Sequence, residues 1–351
     1  MQHAAPLLAL PRETLLQALA CGGPLVSVDA TIICRALRDL FAHDPNEKER
    51  LRVQAMCTAM AEHSEDLAVQ LTSCIALGNA RVWDSPSSRR YALDAGAIRL
   101  IVAAMRPHAV TDTDESLFMA YNACWTLHRT FLCSSVRDGE NGATRELLNR
   151  MADEGVIEAT VAALETFNVP SSRSDVALQD LGLEVLHLVC STHARFQPCD
   201  GRVLRAVRAG AIEVGVAALA FQDADVRLNA CWMLANVCSA FAQAENASER
   251  AVAAGAVEPL IDAIRTLDVN QEAGTEGREA IRALLNISVN SNASLIEIIR
   301  EQIVAAGGQG RLQSLARNEN DTALRLCWHL HFVVDDDDDG DVTVNPYFGD
   351  D

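Results

Sequence analysis

Asn229-Ala230-Cys231-Trp232-Met233-Leu234-Ala235-Asn236 decides the fold, because Asn122-Ala123-Cys124-Trp125-Thr126-Leu127 echoes it upstream. The frame fits four further segments. Its central leucine recurs as Leu77, Leu127, Leu186, Leu234, Leu284 and Leu330, at spacings of 50, 59, 48, 50 and 46 residues. Four positions before each leucine stands Ser73, Ala123, Gly182, Ala230, Ala280 or Leu326, small in five of six cases, which lets a neighbouring helix approach closely. A shorter pattern precedes four of the frames: Ala95-Gly96-Ala97-Ile98, Glu154-Gly155-Val156-Ile157, Ala209-Gly210-Ala211-Ile212 and Ala254-Gly255-Ala256-Val257. After each glycine, apolar residues follow at i, i+4 and i+7, as in Ile212, Val216 and Leu219, which is one face of a helix. The glycine supplies the positive φ that stops one helix and turns the chain into the next.

Each unit therefore reads as a short helix, a glycine turn, a second helix, a loop and a longer third helix, and about six such units make an all-α solenoid. The expected organisation is an N-terminal capping helix segment over 1–28, the repeat array over 29–334 and an acidic disordered tail over 335–351. The first unit turns through His43-Asp44-Pro45-Asn46 instead of a glycine, and Gly307-Gly308-Gln309-Gly310 of the last leads into a weak apolar pattern. Terminal units cap the core rather than continue it, so such degeneracy is expected. Polar surplus in Arg106–Ser116, Ser134–Ala143, Asn168–Ser174 and Thr266–Gly277 reads as loops on the edges of the array.

These residues resemble armadillo repeats, the three-helix units of importin-α and β-catenin. The likeness rests on the glycine turn, the Pro259-Leu260 step and Ala230-Cys231-Trp232-Met233-Leu234-Ala235-Asn236, and it covers about 300 of the 351 residues. It implies a right-handed superhelical armadillo-type α-solenoid whose third helices line a concave groove. On those helices Trp232 is rotated by about 200° from Ala230 and Leu234, and Asn236 shares its face one turn on. In the importin-α family such a pair holds extended peptides: the Asn bonds ligand backbone and the Trp packs on Lys or Arg stems. Carried over, the Trp position reads Ile75, Trp125, Glu184, Trp232, Arg282 and Trp328, and the Asn position Asn79, Arg129, Leu188, Asn236, Asn286 and Phe332. The complete pair occurs once. The candidate groove residues are thus Asn79, Trp125, Arg129, Glu184, Trp232, Asn236, Arg282, Asn286 and Trp328. Space-filling between third helices explains Trp328 somewhat better than ligand contact does. The recurring asparagines fit either a working polar face or an amide ladder between repeats.

Composition narrows the function classes. With 29 basic against 48 acidic residues the net charge is −19, which repels phosphates and argues against a nucleic-acid or anionic-membrane binder. The tail holds eight acids and no base, so it is expected to be a solvated end or an internal mimic of an acidic ligand acting on Arg129 and Arg282; Asn345-Pro346-Tyr347-Phe348 within it looks like a short docking motif. No run of about 18 apolar residues exists, and Met1 to Pro11 lacks the features of a secretory signal. Eleven cysteines without a CxxC pair sit mostly in apolar helical patterns, as in a reducing compartment; a cytoplasmic protein, or one shuttling with the nucleus, is expected.

No nucleotide-binding, zinc-protease or serine-hydrolase motif is present, and no His is followed by Glu. His329 and His331 diverge by about 200° on a helix and cannot share a metal. Glu184 lacks a partner for acid–base work. The expectation is no catalysis, no cofactor and no metal. The chain is read as a scaffold or adaptor that holds an extended or helical segment of a partner protein. The alternatives are an importin-α-like transport receptor for basic targeting peptides and, less favoured, an enzyme with an unrecognised site.

Overall fold

The computed structural model of the chain describes residues 49–79, 86–106, 113–137, 141–168, 173–191, 200–239, 246–265, 276–318 and 320–334. The capping segment 1–28, the His43–Asn46 turn and the tail 335–351 lie outside these. The described residues form helices and no strand. In order they are α1 Glu49–Glu62, α2 Leu67–Asn79, α3 Pro86–Asp94, α4 Ala97–Met105, α5 Asp114–Arg137 and α6 Asn141–Asp153. There follow α7 Val156–Thr166, α8 Arg173–Val189, α9 Asp200–Ala209, α10 Ala211–Ala218, α11 Ala224–Val237 and α12 Ala247–Ala253. The remainder are α13 Val257–Arg265, α14 Glu276–Val289, α15 Ala293–Ala305, α16 Gln309–Arg317 and α17 Asp321–His329.

The leucine frame builds one ladder. Helices α2, α5, α8, α11, α14 and α17 each pack on the next. Leu127, Leu186, Leu234, Leu284 and Leu330 are 0% exposed and Leu77 is 1% exposed, so the frame leucines form a seam inside a single apolar core. The small residue four positions earlier is buried in every helix of the ladder where it occurs. At Gly182 an added Cβ would lie 2.6 Å from Leu164 Cδ2, which is why α8 can approach α7 so closely.

The glycine turns also form as read. Gly96, Gly155, Gly210 and Gly255 have φ of 76°, 89°, 99° and 84°, and Gly307 has 67°, a region where side chains with a Cβ are strained. Each turn swings a first helix into a second, and second helices α1, α4, α7 and α10 pack in succession. An arginine five residues before three of the turns ties neighbouring units together. Arg150 Nη2 donates to Leu93 O at 2.8 Å, Arg250 donates to Val207 O and to Glu213, and Arg205 pairs with Glu158. Arg150 and Arg250 add a second donor to carbonyls at the ends of α3 and α9 that already accept from the turn glycines Gly96 and Gly210.

The surplus residues are only partly loop. α5 runs to Arg137 and α6 begins at Asn141, so much of the stretch Ser134–Ala143 is helix. Ser116, Ser174 and Gly277 likewise lie inside helices. These residues fall at helix termini, which periodicity alone does not distinguish from loop. No described helix is long and apolar enough to cross a membrane. Cys57, Cys74, Cys124, Cys190, Cys231, Cys238 and Cys327 are free and buried, and burial pushes the thiols of Cys74 and Cys124 up to about 12; they pack as apolar groups.

Candidate functional site

The third-helix ladder places all the singled-out residues on its helices, and one contact rule describes the first four steps between them. The residue two positions before a seam leucine meets the residue one or two positions after the seam leucine of the preceding third helix. Between α2 and α5, Trp125 lies on Gly78, where an added Cβ would stand 2.4 Å from Trp125 Cζ3. Between α5 and α8, His128 Nε2 is 3.0 Å from Glu184 Oε1. Between α8 and α11, the rings of His187 and Trp232 stack at 5.1 Å with 20° between their planes. Between α11 and α14, Arg282 Nη2 donates to Asn236 Oδ1 at 3.2 Å.

Trp125 and Trp232 are accordingly half-buried, each held by the preceding helix, with part of the indole left on the surface. Trp328 on α17 is 47% exposed, more open than space-filling between neighbours would leave it. Arg129 is half-buried, and its Nε finds no acceptor among the described residues.

The three asparagines of the frame occupy three different environments. Asn79 is exposed and, among the described residues, donates to Ile75 O of its own helix, at 3.0 Å. Asn286 Nδ2 donates across the ladder to Ala235 O at 2.6 Å. Asn236 is 3% exposed; its Nδ2 lies 2.9 Å from His187 Nδ1 and 3.1 Å from His187 O, while its Oδ1 accepts from Arg282. Asn236 can reach a ligand's backbone only by releasing these partners. Asn290, one turn after Asn286, extends the same ladder by donating to Cys238 O at 3.0 Å. The Asn-x3-Asn spacing of 286 and 290 marks Asn290 in the sequence, and Asn229 opens the repeat frame itself.

Charge on this face is mixed and mostly acidic. Asp180 and Glu184 stand on α8, Asp225 on α11 behind its N-cap Asp223, and Glu276 and Glu279 on α14. Arg227 answers Glu276 through bonds of 2.7 and 3.0 Å, and Arg282 lies 3.0 Å from Glu279. Burial lowers the His187 imidazole to about 4; the Arg282 charge adds to that and Glu184 opposes it. His187 is therefore neutral near pH 7 and offers a flat uncharged ring to Trp232. An unfolded histidine takes up a proton near pH 6.5 and the folded one only near 4, so acidification favours the unfolded chain. His187 is expected to cost the fold about 2 kcal/mol as pH falls from 6.5 to 5. Urea titrations at the two pH values test this: His187→Gln should flatten the dependence, and an unchanged slope in the variant would contradict the assignment.

Glu184, expected to stand alone, is paired with His128, and no set of three or more metal-ligating side chains gathers among the described residues.

No family model matches the sequence, and no curated protein does. Solved structures do. An engineered protein from a structural genomics consortium matches with TM-score 0.55 at 24% identity, covering 80% of this chain and 96% of its own. A designed armadillo repeat protein matches with TM-score 0.54 at 16% identity, over 82% of this chain and all of its own. Another, in complex with the peptide (KR)4, matches with TM-score 0.51 at 16% identity, covering 80% and 98%.

Proposed function

We propose that this chain, an armadillo-like repeat solenoid, holds an extended segment of another protein against its third-helix face. The reading takes a right-handed superhelix of about six repeats, with that face as its groove. The observation that carries it is the row of half-buried Trp125, half-buried Trp232 and open Trp328 beside the exposed amide of Asn79. Trp125 and Trp232 are braced on the preceding helix yet keep surface free for a ligand side chain, Trp328 is open, and Asn79 keeps an amide within reach of ligand main chain. Solved neighbours include computationally designed armadillo repeat proteins for modular peptide recognition, which supports the same use of the fold. Scaffold or adaptor work in the cytoplasm needs no further chemistry than this.

A second reading, a transport receptor for basic targeting peptides, is favoured by the acidic face formed by Asp180, Glu184, Asp225 and Glu279. It gains nothing from the single complete Trp–Asn pair, whose amide is already committed. One experiment tests both. Binding of a Lys/Arg-rich peptide and of an uncharged extended peptide is measured by calorimetry on the full chain and on Trp232→Ala. Loss of a central tryptophan is expected to weaken binding at least tenfold. Affinity for the basic peptide that falls steeply with salt supports the receptor reading. Equal affinities in the wild type and the variant would remove Trp232 from the groove.

A further inference from the structure

The orientation of the Asn236 amide is fixed by two groups other than the imidazole ring beside it. His187 O, 3.1 Å away, can only accept, so it demands the amide nitrogen. Arg282 Nη2, 3.2 Å away, can only donate, so it demands the amide oxygen. The nitrogen so placed also lies 2.9 Å from His187 Nδ1. Nδ1 therefore accepts, and the ring keeps its proton on Nε2. The stack on Trp232 and a bond to the Trp232 carbonyl hold the ring further. Asn236 is 3% exposed, yet His187, Trp232 and Arg282 around it are half-buried, so the side chains that cover the amide themselves reach the surface.

A proton on Nδ1 is incompatible with this arrangement. Two N–H groups would face each other at 2.9 Å in a nearly closed place. Turning the amide over would restore that bond, but it would set Nδ2 against Arg282 and take the side-chain donor from His187 O. Either the ring or the amide has to move, and the new positive charge repels Arg282 in both cases. Arg282 keeps a counter-ion when it leaves, because Glu279 already stands 3.0 Å from its Nη1. The surroundings of the ring set when this happens. Burial and the Arg282 charge on α14 oppose a proton on it, and Glu184, one turn earlier on α8, favours one. α11 brings the neutral Trp232 and Asn236; α5 brings His128, 3.0 Å from Glu184, and Arg129 beside it. α6, α7 and α10 also pack on α8 and bring no described charge that acts on the ring.

We propose that His187 is a proton-operated latch on the α8–α11 rung: neutral, it holds the Asn236 amide closed, and protonated on Nδ1 it releases that amide to the main chain of a bound segment. This rests on the groove function above and gives that site a regulation. Above the ordinary histidine value of 6.5 the ring is neutral whether the rung is closed or open, so pH has no hold on it there. Burial keeps the closed ring unprotonated down to about 4, whereas the open ring takes up its proton at the ordinary value. Acidification between those limits opens the rung inside the folded array, and below the lower one the gain levels off. A segment that binds only the open rung has an apparent affinity that scales with the open fraction, so binding tightens as the pH falls.

The probe is an uncharged peptide, (Ser-Ala)4 blocked at both ends, so that titration of the acidic face leaves its affinity unchanged. It is titrated by calorimetry into the full chain at about pH 7.5 and 5.5, in two buffers of different ionisation enthalpy. Wild-type affinity is expected to rise about tenfold at the lower pH, with uptake of about one proton per complex. His187→Gln keeps an acceptor for the Asn236 amide and cannot take up the proton. It should fold, and bind at the neutral-pH level at both values. Ring nitrogen NMR of the histidine-labelled free chain follows the same proton without a ligand, with His187 assigned by its loss in the variant. Nδ1 should protonate between pH 6.5 and 4 while the circular dichroism stays that of the folded chain. Equal wild-type affinities at the two pH values, or a rise that persists in His187→Gln, overturn the latch and leave the groove function standing. If the peptide binds at neither pH, the groove reading falls, and the ring spectra decide the latch by themselves. A Nδ1 that stays unprotonated until the chain unfolds overturns it.

Discussion

Leu234→Ala is expected to destabilise the array by about 4 kcal/mol, in the upper part of the range for deleting a buried leucine. Leu234 is fully buried, and its Cγ and Cδ2 lie 3.2 Å from where a Cβ on Gly215 would stand. α10 is thus pressed onto α11 at a position with no side chain to swing into a void. The backbone turn at Gly210, fixed by its positive φ, keeps α10 from sliding inward. The cavity left by alanine should therefore stay open, and the cavity term adds to the lost transfer energy. Position in a repeat array sharpens the effect. Each unit contacts only its neighbours, so weakening the α8–α11–α14 stretch uncouples the two halves of the ladder. Urea unfolding followed by tryptophan fluorescence should show a lower midpoint and a broader or two-step transition. Leu234→Met, which keeps the volume, should cost less than about 1.5 kcal/mol. A loss below 1 kcal/mol for Leu234→Ala would mean that the seam does not hold the units together.

That leucine was legible in the sequence because burial of one helical stripe forces apolar residues to recur, and recurrence across about 50 positions survives drift elsewhere. The turn glycines were legible for a related reason: a positive φ excludes nearly every other residue. The face of the ladder was less so. The helical period places Trp232 and Asn236 together, but it does not say whether the next third helix or a ligand answers them. An asparagine reads the same in either case. Asn79 and Asn236 hold one frame position, and the first ends up exposed while the second is buried between helices. The missing quantity is the register between neighbouring third helices. It is close to the unit length itself, as the separations of 49 for Asn229–Asp180 and 51 for Asn286–Ala235 show. Reading pairs of polar residues one unit apart would have found Asp180 with Asn229 and Arg227 with Glu276. The inter-unit arginines could have been found in the same way, since Arg150, Arg205 and Arg250 each stand five residues before a turn glycine. What no spacing foretells is the helical extension to Arg137, where polar residues look like loop whether or not they continue a helix.

Asn236→Ala is expected to cost about 3 kcal/mol of stability, and Asn79→Ala essentially none. The two substitutions are identical in chemistry and in frame position, so the difference isolates environment. Removing the Asn236 amide leaves His187 Nδ1 and His187 O without their donor and takes an acceptor from Arg282, all at a place that is 3% exposed. Each buried group left unpaired costs about 1–3 kcal/mol, and partial rescue by water on the Arg282 side keeps the total near the middle of the range. The His187 ring also loses the bond that orients it beneath Trp232, so the stack should loosen and the indole emission shift to the red. Asn79 sits exposed at the end of α2, bonded among the described residues to its own helix, and alanine's better helix propensity offsets that bond by about 0.5 kcal/mol. Binding separates the pair in the opposite sense. Asn79→Ala removes an amide that is free to meet ligand main chain and should weaken peptide binding by several-fold without moving the melting temperature. Asn236→Ala should weaken it chiefly through the displaced Trp232. If the two variants unfold at the same urea concentration, the frame asparagines do not differ as their surroundings require, and Asn236 is not a tie between third helices.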